Sequence, residues 1–207
     1  MKKLMVGILG AMVLCMGLIC TVRAAEEAGN TTLDNLQAAF NGESNAKARY
    51  EAFAAKADEE GYKSVASLFR AVAKSEGIHA VKHGEMIKKM NAEPKATIEK
   101  ADVKSTKENL EASIKGETAE KDSMYPSFIK QAEVDKNAGA AMTFKGAMAA
   151  EVEHAKLYSL ALKELNSWKD AGKVFLVCTV CGYTTMDQSL KICPVCSSPR
   201  EKFEVVK

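Results

Sequence analysis

Glu76-Gly77-Ile78-His79 and, 75 positions further on, Glu151-Val152-Glu153-His154 are two Glu-x-x-His motifs set in helix-like sequence. Residues i and i+3 share one face of a helix, so each motif aims a carboxylate and an imidazole the same way. With 20 Glu among 207 residues, a Glu three places before a given His arises by chance about once in ten. Two of the three His carry one, and coincidence explains that pair poorly.

The motifs belong to a longer repeat. Thr32, Asn35, Leu36, Ala38, Gly42 and Glu43 recur 74 positions later as Thr106, Asn109, Leu110, Ala112, Gly116 and Glu117. Phe69 recurs as Phe144 at the 75-residue spacing of the motifs. The change of offset requires one inserted residue, expected near Asn137. Leu36, Phe40, Ala46, Tyr50, Phe53 and Ala54 fall at helical spacing up to a stop at Gly61. A second helix is expected from about Lys63 to Met90, with Val65, Leu68, Phe69, Val72 and Ala73 on its apolar stripe. Asn91 to Lys104, with Pro94, reads as a linker. Ser105 and Glu108 form a capping box opening a third helix, which Pro126 should kink, and a fourth runs from about Ala140 to Leu165. Duplicated helix pairs predict a mainly α chain built on a pseudo-twofold four-helix bundle.

Each copy therefore carries a Glu on its first helix, Glu43 or Glu117, and a Glu-x-x-His on its second. Four inward carboxylates without a cation would repel one another and lose their hydration. Two divalent irons remove that cost, and this donor set is that of di-iron carboxylate bundles. Glu120 lies one turn after Glu117, where the first copy has Ala46, and is expected as a seventh ligand. Tyr50 and Tyr125 lie about two turns beyond Glu43 and Glu117, placed either to hydrogen-bond ligating carboxylates or to fill the core. His83, with Tyr158 as its counterpart, reads as a polar-face or supporting histidine.

Near the other end, Cys178-Thr-Val-Cys181-Gly-Tyr and Cys193-Pro-Val-Cys196 form two CxxC pairs eleven residues apart. The segment from Val174 onward is too short to stabilise itself by burial, so a crosslinking centre is expected. Four thiolates suit a tetrahedral ion, and Gly182 lets backbone N–H groups approach sulfur. The ligands alone admit iron or zinc, and two disulfides form a third reading. A redox-inactive ion beside a di-iron site lacks a purpose, which favours iron.

Lys2 and Lys3 precede an uncharged, mostly apolar run from Leu4 to Val22, followed by Val22-Arg23-Ala24. Residues 1–24 are thus expected to be a secretory signal cut after Ala24, with an uncleaved anchor as the alternative, and the location exported, periplasmic. Losing Lys2, Lys3 and Arg23 leaves 26 basic against 27 acidic residues, a net charge of −1. Neither that balance nor any like-charge block carries a footprint for nucleic acid, and no membrane association is expected after cleavage.

Taken together, NLQAAFNGES, SEGIH, EVEHA, GETAE followed by MYP, CxxCGY, CPVC and the terminal FEV resemble the rubrerythrin family over nearly everything after the leader. The resemblance implies a ferritin-like di-iron domain over 25–169 and a small rubredoxin-like β domain over 170–207. It implies a di-iron centre held by Glu43, Glu76, His79, Glu117, Glu120, Glu151 and His154, with one iron moving between His79 and Glu120 as its redox state changes. It implies a third iron on Cys178, Cys181, Cys193 and Cys196. The activity implied is a peroxidase of oxidative-stress defence. Hydrogen peroxide is its substrate, Tyr50 and Tyr125 relay protons, and the sulfur-ligated iron returns electrons across a flexible tether (Trp168 to Lys173), within a homodimer. A ferroxidase using O2 and Fe(II), or a zinc-loaded binding protein, are the competing readings. The export signal is unusual for the family and leaves the electron-donor protein unnamed, since cytosolic reduced pyridine nucleotide would be out of reach.

Overall fold

The computed structural model describes residues 31–170 and 172–207; the expected leader lies outside them. Helices α1 (Thr32–Glu59) and α2 (Lys63–Lys89) form one antiparallel pair. Helix α3 (Thr106–Ala119), a π-helical turn (Glu120–Met124) and α4 (Tyr125–Val134) run on as one rod, paired with α5 (Ala138–Lys163). Residues 91–105 cross between the pairs, sewn to α1 where Asn41 and Asn45 meet the backbone of Thr97 and Glu99. One long crossover between two short-looped hairpins is a ferritin-like arrangement.

Local chemistry explains the ends. Thr31 with Asp34 and Ser105 with Glu108 close capping boxes on α1 and α3, satisfying N–H groups that the first helical turn leaves free. The repeat also exchanges contacts between halves. Glu60 accepts from the Thr106 N–H, and Asp135, its counterpart, accepts from the Thr32 N–H.

The inserted residue does not lie near Asn137. Glu43 to Glu117 spans 74 positions, whereas Tyr50 to Tyr125 spans 75, which places it in the π-helical turn between. There the Tyr125 N–H bonds the Glu120 carbonyl, five residues back. One extra residue in a continuous helix is what such a turn absorbs. Pro126 follows at the start of α4, where its missing N–H coincides with the change of bonding pattern.

Two aromatic boxes flank the middle of the bundle. Tyr50, Phe53, Phe69 and Tyr158 fill one, with centroids 5.2–6.2 Å apart. Tyr125, Phe128, Phe144 and His83 fill the other, 75 positions later in register apart from the His83/Tyr158 exchange. Burying side chains of this size stabilises by about 1.5–3 kcal/mol each, so carboxylates are held in a layer between two rigid apolar plugs.

The second domain is a three-stranded antiparallel sheet with β1 (Phe175–Cys178) between β2 (Thr184–Thr185) and β3 (Phe203–Val206). All four β1 side chains are buried, on alternating faces. Phe175 and Val177 join the bundle core beside Trp168, while Leu176 and Cys178 face the cysteine knuckles. The expected flexible tether is instead pinned on both sides of residue 171. Trp168 is fully buried, the Lys63 N–H donates to the Lys169 carbonyl at 2.8 Å, the Ser64 hydroxyl donates to the Asp170 carbonyl at 2.6 Å, and beyond residue 171 the Lys173 N–H donates to the Ser64 hydroxyl at 3.4 Å. A shared core explains the difference, because the tether's own aromatic packs into it.

Candidate metal centres

Helices α1, α2, α3 and α5 deliver Glu43, Glu76, His79, Glu117, Glu151 and His154 to one layer, none more than 2% exposed. They divide into two overlapping sets, Glu43/Glu76/His79/Glu151 and Glu76/Glu117/Glu151/His154. Glu76 and Glu151 belong to both. Glu76 sets Oε2 3.0 Å from His79 Nδ1 and Oε1 3.3 Å from His154 Nδ1. Glu151 sets Oε1 3.2 Å from His79 Nδ1 and Oε2 2.7 Å from His154 Nδ1. Glu43 and Glu117 each close one end, 3.5 Å from His79 and His154 respectively.

Yet these atoms do not hydrogen-bond one another. Both oxygens of Glu76 and Glu151, one each of Glu43 and Glu117, and both Nδ1 atoms lack hydrogen-bond partners among the described residues. Buried polar atoms without partners are costly and rare. Here eight of them converge on two points with two carboxylates in bridging position, which is the donor geometry of a dinuclear cation site.

The histidines are aimed from behind by the second domain. His79 Nε2–H donates to the Cys181 carbonyl at 3.1 Å. His154 Nε2–H donates to the Thr184 hydroxyl at 3.3 Å, while that hydroxyl donates to the Gly182 carbonyl. Committing each Nε2 to an outward acceptor leaves each Nδ1 lone pair facing the carboxylates. The Ser75 hydroxyl donates to the Gly182 carbonyl at 2.6 Å, fixing the knuckle to α2. Gly182, at φ +83°, also has no room for a side chain, since a Cβ would overlap His79 Nε2 and stand 2.7 Å from Ser75 Oγ.

The charges are tuned by that crowding. Burial, then Glu76, pushes Glu43 up to about 7 and Glu117 up to about 8. Burial pulls His79 and His154 down, but the surrounding carboxylates, Glu151 first for His79 and Glu76 first for His154, lift both well above the ordinary imidazole range. Burial would raise Glu151, but His79 and His154 hold it low. Without cations, protons are the only charges able to balance the layer.

Tyr50 and Tyr125 hydrogen-bond ligand carboxylates and do so crosswise. Tyr50 Oη donates to Glu117 Oε1, and Tyr125 Oη donates to Glu43 Oε1. Glu120 stands outside both four-residue sets. It is half-buried beside them, and burial followed by Glu117 lifts its carboxyl well above the usual range. His83 is fully buried rather than on a polar face, bonded to Tyr125.

At the knuckles, Cys178 Sγ lies 3.6 Å from Cys196 Sγ and Cys181 Sγ 3.5 Å from Cys193 Sγ. Those spacings approach the roughly 3.8 Å edge of a tetrahedron with 2.3 Å metal–sulfur bonds. They exceed a disulfide bond of about 2.05 Å, so the disulfide reading is not the arrangement observed. The adjacent Cys181 and the N–H groups of Val180 and Cys181 lower the Cys178 thiol to about 5, while burial raises Cys193 to about 11. A shared cation would hold all four as thiolates.

A ferritin-like bundle with two bridged acid–imidazole sets, joined to a four-cysteine knuckle domain, defines a di-iron carboxylate protein with a rubredoxin-like iron site. Comparison with known proteins agrees. The rubrerythrin profile matches residues 34–162 and the profile "Rubrerythrin, rubredoxin-like domain" matches 177–204. Rubrerythrin-2 of Clostridium acetobutylicum is 36% identical over 177 residues, covering 84% of this chain and 95% of that protein. Nigerythrin of Nitratidesulfovibrio vulgaris is 36% identical over 185 residues, covering 88% and 90%. A solved structure of nigerythrin in its fully reduced, all-ferrous state superposes with a TM-score of 0.80 at 33% identity, covering 89% and 91% of the two chains. This chain belongs to the rubrerythrin family.

The sequence reading missed Ser75, Gly182, Thr184 and Thr143. Their signals existed only for Gly182, read as easing N–H approach to sulfur when its lack of a side chain also seats the knuckle on His79.

Proposed function

We propose that this chain is a hydrogen peroxide reductase that draws its electrons through the four-cysteine iron. The observation carrying this reading is the His79–Cys181 hydrogen bond. It makes an almost continuous covalent path from the Cys181 sulfur through its carbonyl to the imidazole of a di-iron ligand. A site for storing or sequestering metal has no use for such a link.

Each peroxide takes up two electrons and two protons to yield two waters. Irons held by Glu43, Glu76, His79, Glu117, Glu151 and His154 would supply the two electrons and Lewis-acid polarisation of the peroxide oxygens. The protein's part is positional. Glu76 and Glu151 bridge, Glu43 and Glu117 close the ends, and the Tyr50 and Tyr125 hydroxyls hold the terminal carboxylates while lying within one transfer of a proton they can accept. The aromatic boxes keep water from the layer. Glu120, with its carboxyl kept neutral by burial and Glu117, stands beside the donor sets as a reserve ligand that would exchange with His79 as the redox state changes.

The test is anaerobic reduction of the iron-loaded protein followed by one equivalent of hydrogen peroxide, watching both iron chromophores. Oxidation of the di-iron centre and then of the sulfur-ligated iron is expected. Inertness to peroxide with rapid turnover of Fe(II) and O2 would make the protein a ferroxidase. Zinc in both sites of protein from its native source would end the redox account.

A further inference from the structure

We propose that Thr143 and His83 form a proton relay that carries protons from an open groove to Tyr125 and on to Glu43. What the proton is used for rests on the peroxide reading above; the relay itself is a property of the chain.

His83 is fully buried, and both ring nitrogens are engaged. Nε2 lies 3.2 Å from Tyr125 Oη, and Nδ1 lies 3.3 Å from Thr143 Oγ1. Valence fixes the direction of every link. The Glu43 carboxylate only accepts, so the Tyr125 hydroxyl donates to it. Tyr125 Oη therefore accepts from His83 Nε2–H. A neutral imidazole has one N–H, so Nδ1 accepts from the Thr143 hydroxyl. Burial, reinforced by His79, lowers His83 to about 3 and so keeps the ring neutral. All three donors point inward.

The outer end opens. Thr143 is half-buried in the wall of a groove of about 780 Å³ between α2, α5 and the knuckles, with Lys82, Met86, Met142 and Gly146 around it. In one transfer, a hydronium ion or buffer acid in the groove gives a proton to Thr143 Oγ as the threonine's own proton moves to His83 Nδ1. The His83 Nε2 proton passes to Tyr125 Oη, and the tyrosine proton to Glu43 Oε1. One proton enters and one arrives, with no charge left between.

The other half of the repeat is a built-in contrast. Tyr158 stands where His83 does, its hydroxyl without a partner among the described residues, and Leu68, fully buried, stands where Thr143 does. The Tyr50–Glu117 end therefore has no imidazole–hydroxyl pair behind its tyrosine: Phe53, Phe69 and Tyr158 pack against Tyr50, and Arg49 lies over its ring at 5.3 Å. The open end is also the one whose histidine, His79, touches Cys181. Protons and electrons would reach the same four-residue set.

The first test needs no turnover. In the full-length chain loaded with zinc, 15N spectroscopy of His83 should find a neutral ring with its proton on Nε2. Thr143→Val should slow solvent exchange of that proton at least tenfold without changing the tautomer, and Thr143→Ser should restore it. In the iron-loaded protein, Thr143→Val and His83→Gln should slow peroxide-driven oxidation several-fold and enlarge its solvent isotope effect. A proton on Nδ1, a doubly protonated ring, or unchanged exchange in Thr143→Val would overturn the relay. Absence of peroxide turnover with these spectroscopic results intact would overturn the activity and leave the relay standing.

Discussion

Replacing Gly182 with alanine should prise the Cys181–Gly182 knuckle away from His79 and uncouple the two iron sites. At φ +83° a residue with a side chain is strained by about 1–2 kcal/mol. Its Cβ would stand 2.7 Å from Ser75 Oγ and overlap His79 Nε2. Relieving the overlap with His79 means moving the knuckle by roughly 1 Å to reach ordinary contact. Such a shift breaks the Ser75–Gly182 bond at 2.6 Å and the His79–Cys181 bond at 3.1 Å. The strain belongs to the knuckle itself, whereas the two hydrogen bonds, at about 0.5–1.5 kcal/mol each, are lost only from the docked state, which falls by about 2 kcal/mol, roughly thirtyfold in population. Stopped-flow absorbance of the sulfur-ligated iron after peroxide addition reads the effect, with iron content measured to confirm that both sites remain filled. Oxidation of the sulfur-ligated iron should fall at least tenfold while oxidation of the di-iron centre persists. A wild-type rate in fully loaded Gly182→Ala would refute the argument that this contact is the electron path.

Three further outcomes are expected. Deleting Asp122 removes the residue that the π-helical turn absorbs and gives Glu117 and Tyr125 the seven-residue spacing that Glu43 and Tyr50 already have. Glu120, which lies in that turn, should be displaced, so peroxide turnover should drop at least tenfold while helix content by circular dichroism and the Tyr125–Glu43 contact are retained. Glu120→Ala should slow peroxide turnover more than it weakens iron binding, and equal losses would count against ligand exchange. Metal-free protein should melt several degrees lower at pH 8.5 than at pH 6, at about 2–4 °C per kcal/mol. Glu43 and Glu117 are raised to about 7 and 8, so their contribution is complete below pH 4.5 and lost as pH rises through those values. The raised histidines act in the same direction above pH 6.5, and Glu151, held low, adds no slope there. A flat or rising melting profile would contradict this.

The di-iron donors and the cysteine knuckles were legible because each rests on a spacing that a single element enforces. Glu-x-x-His needs only one helix, and CxxC only one turn. Capping boxes at Ser105 and the stop at Gly61 were legible for the same reason. What could not be read depends on contacts between elements. The crossing of Tyr50 to Glu117 and Tyr125 to Glu43 is invisible along either helix, where each tyrosine seems to serve the glutamate below it. The inserted residue falls at the π-helical turn and not near Asn137; Glu117 and Phe144 bracket both places, and only Tyr125, between them, tells the two apart. The tether looked mobile because its packing partner for Trp168, Phe175, lies on a strand whose two-sided burial the local pattern does not reveal.

The crossed tyrosines carry one more consequence. Each half of the duplication supplies hydroxyls to the opposite half's acid and one of the two central bridges, so neither hairpin contains a complete cage. A gene fragment encoding one hairpin would have to associate with its twin before gripping anything. Carrying both copies on one chain makes that meeting intramolecular. It also lets the two ends differ, with Tyr158 and Leu68 behind one tyrosine and His83 and Thr143 behind the other.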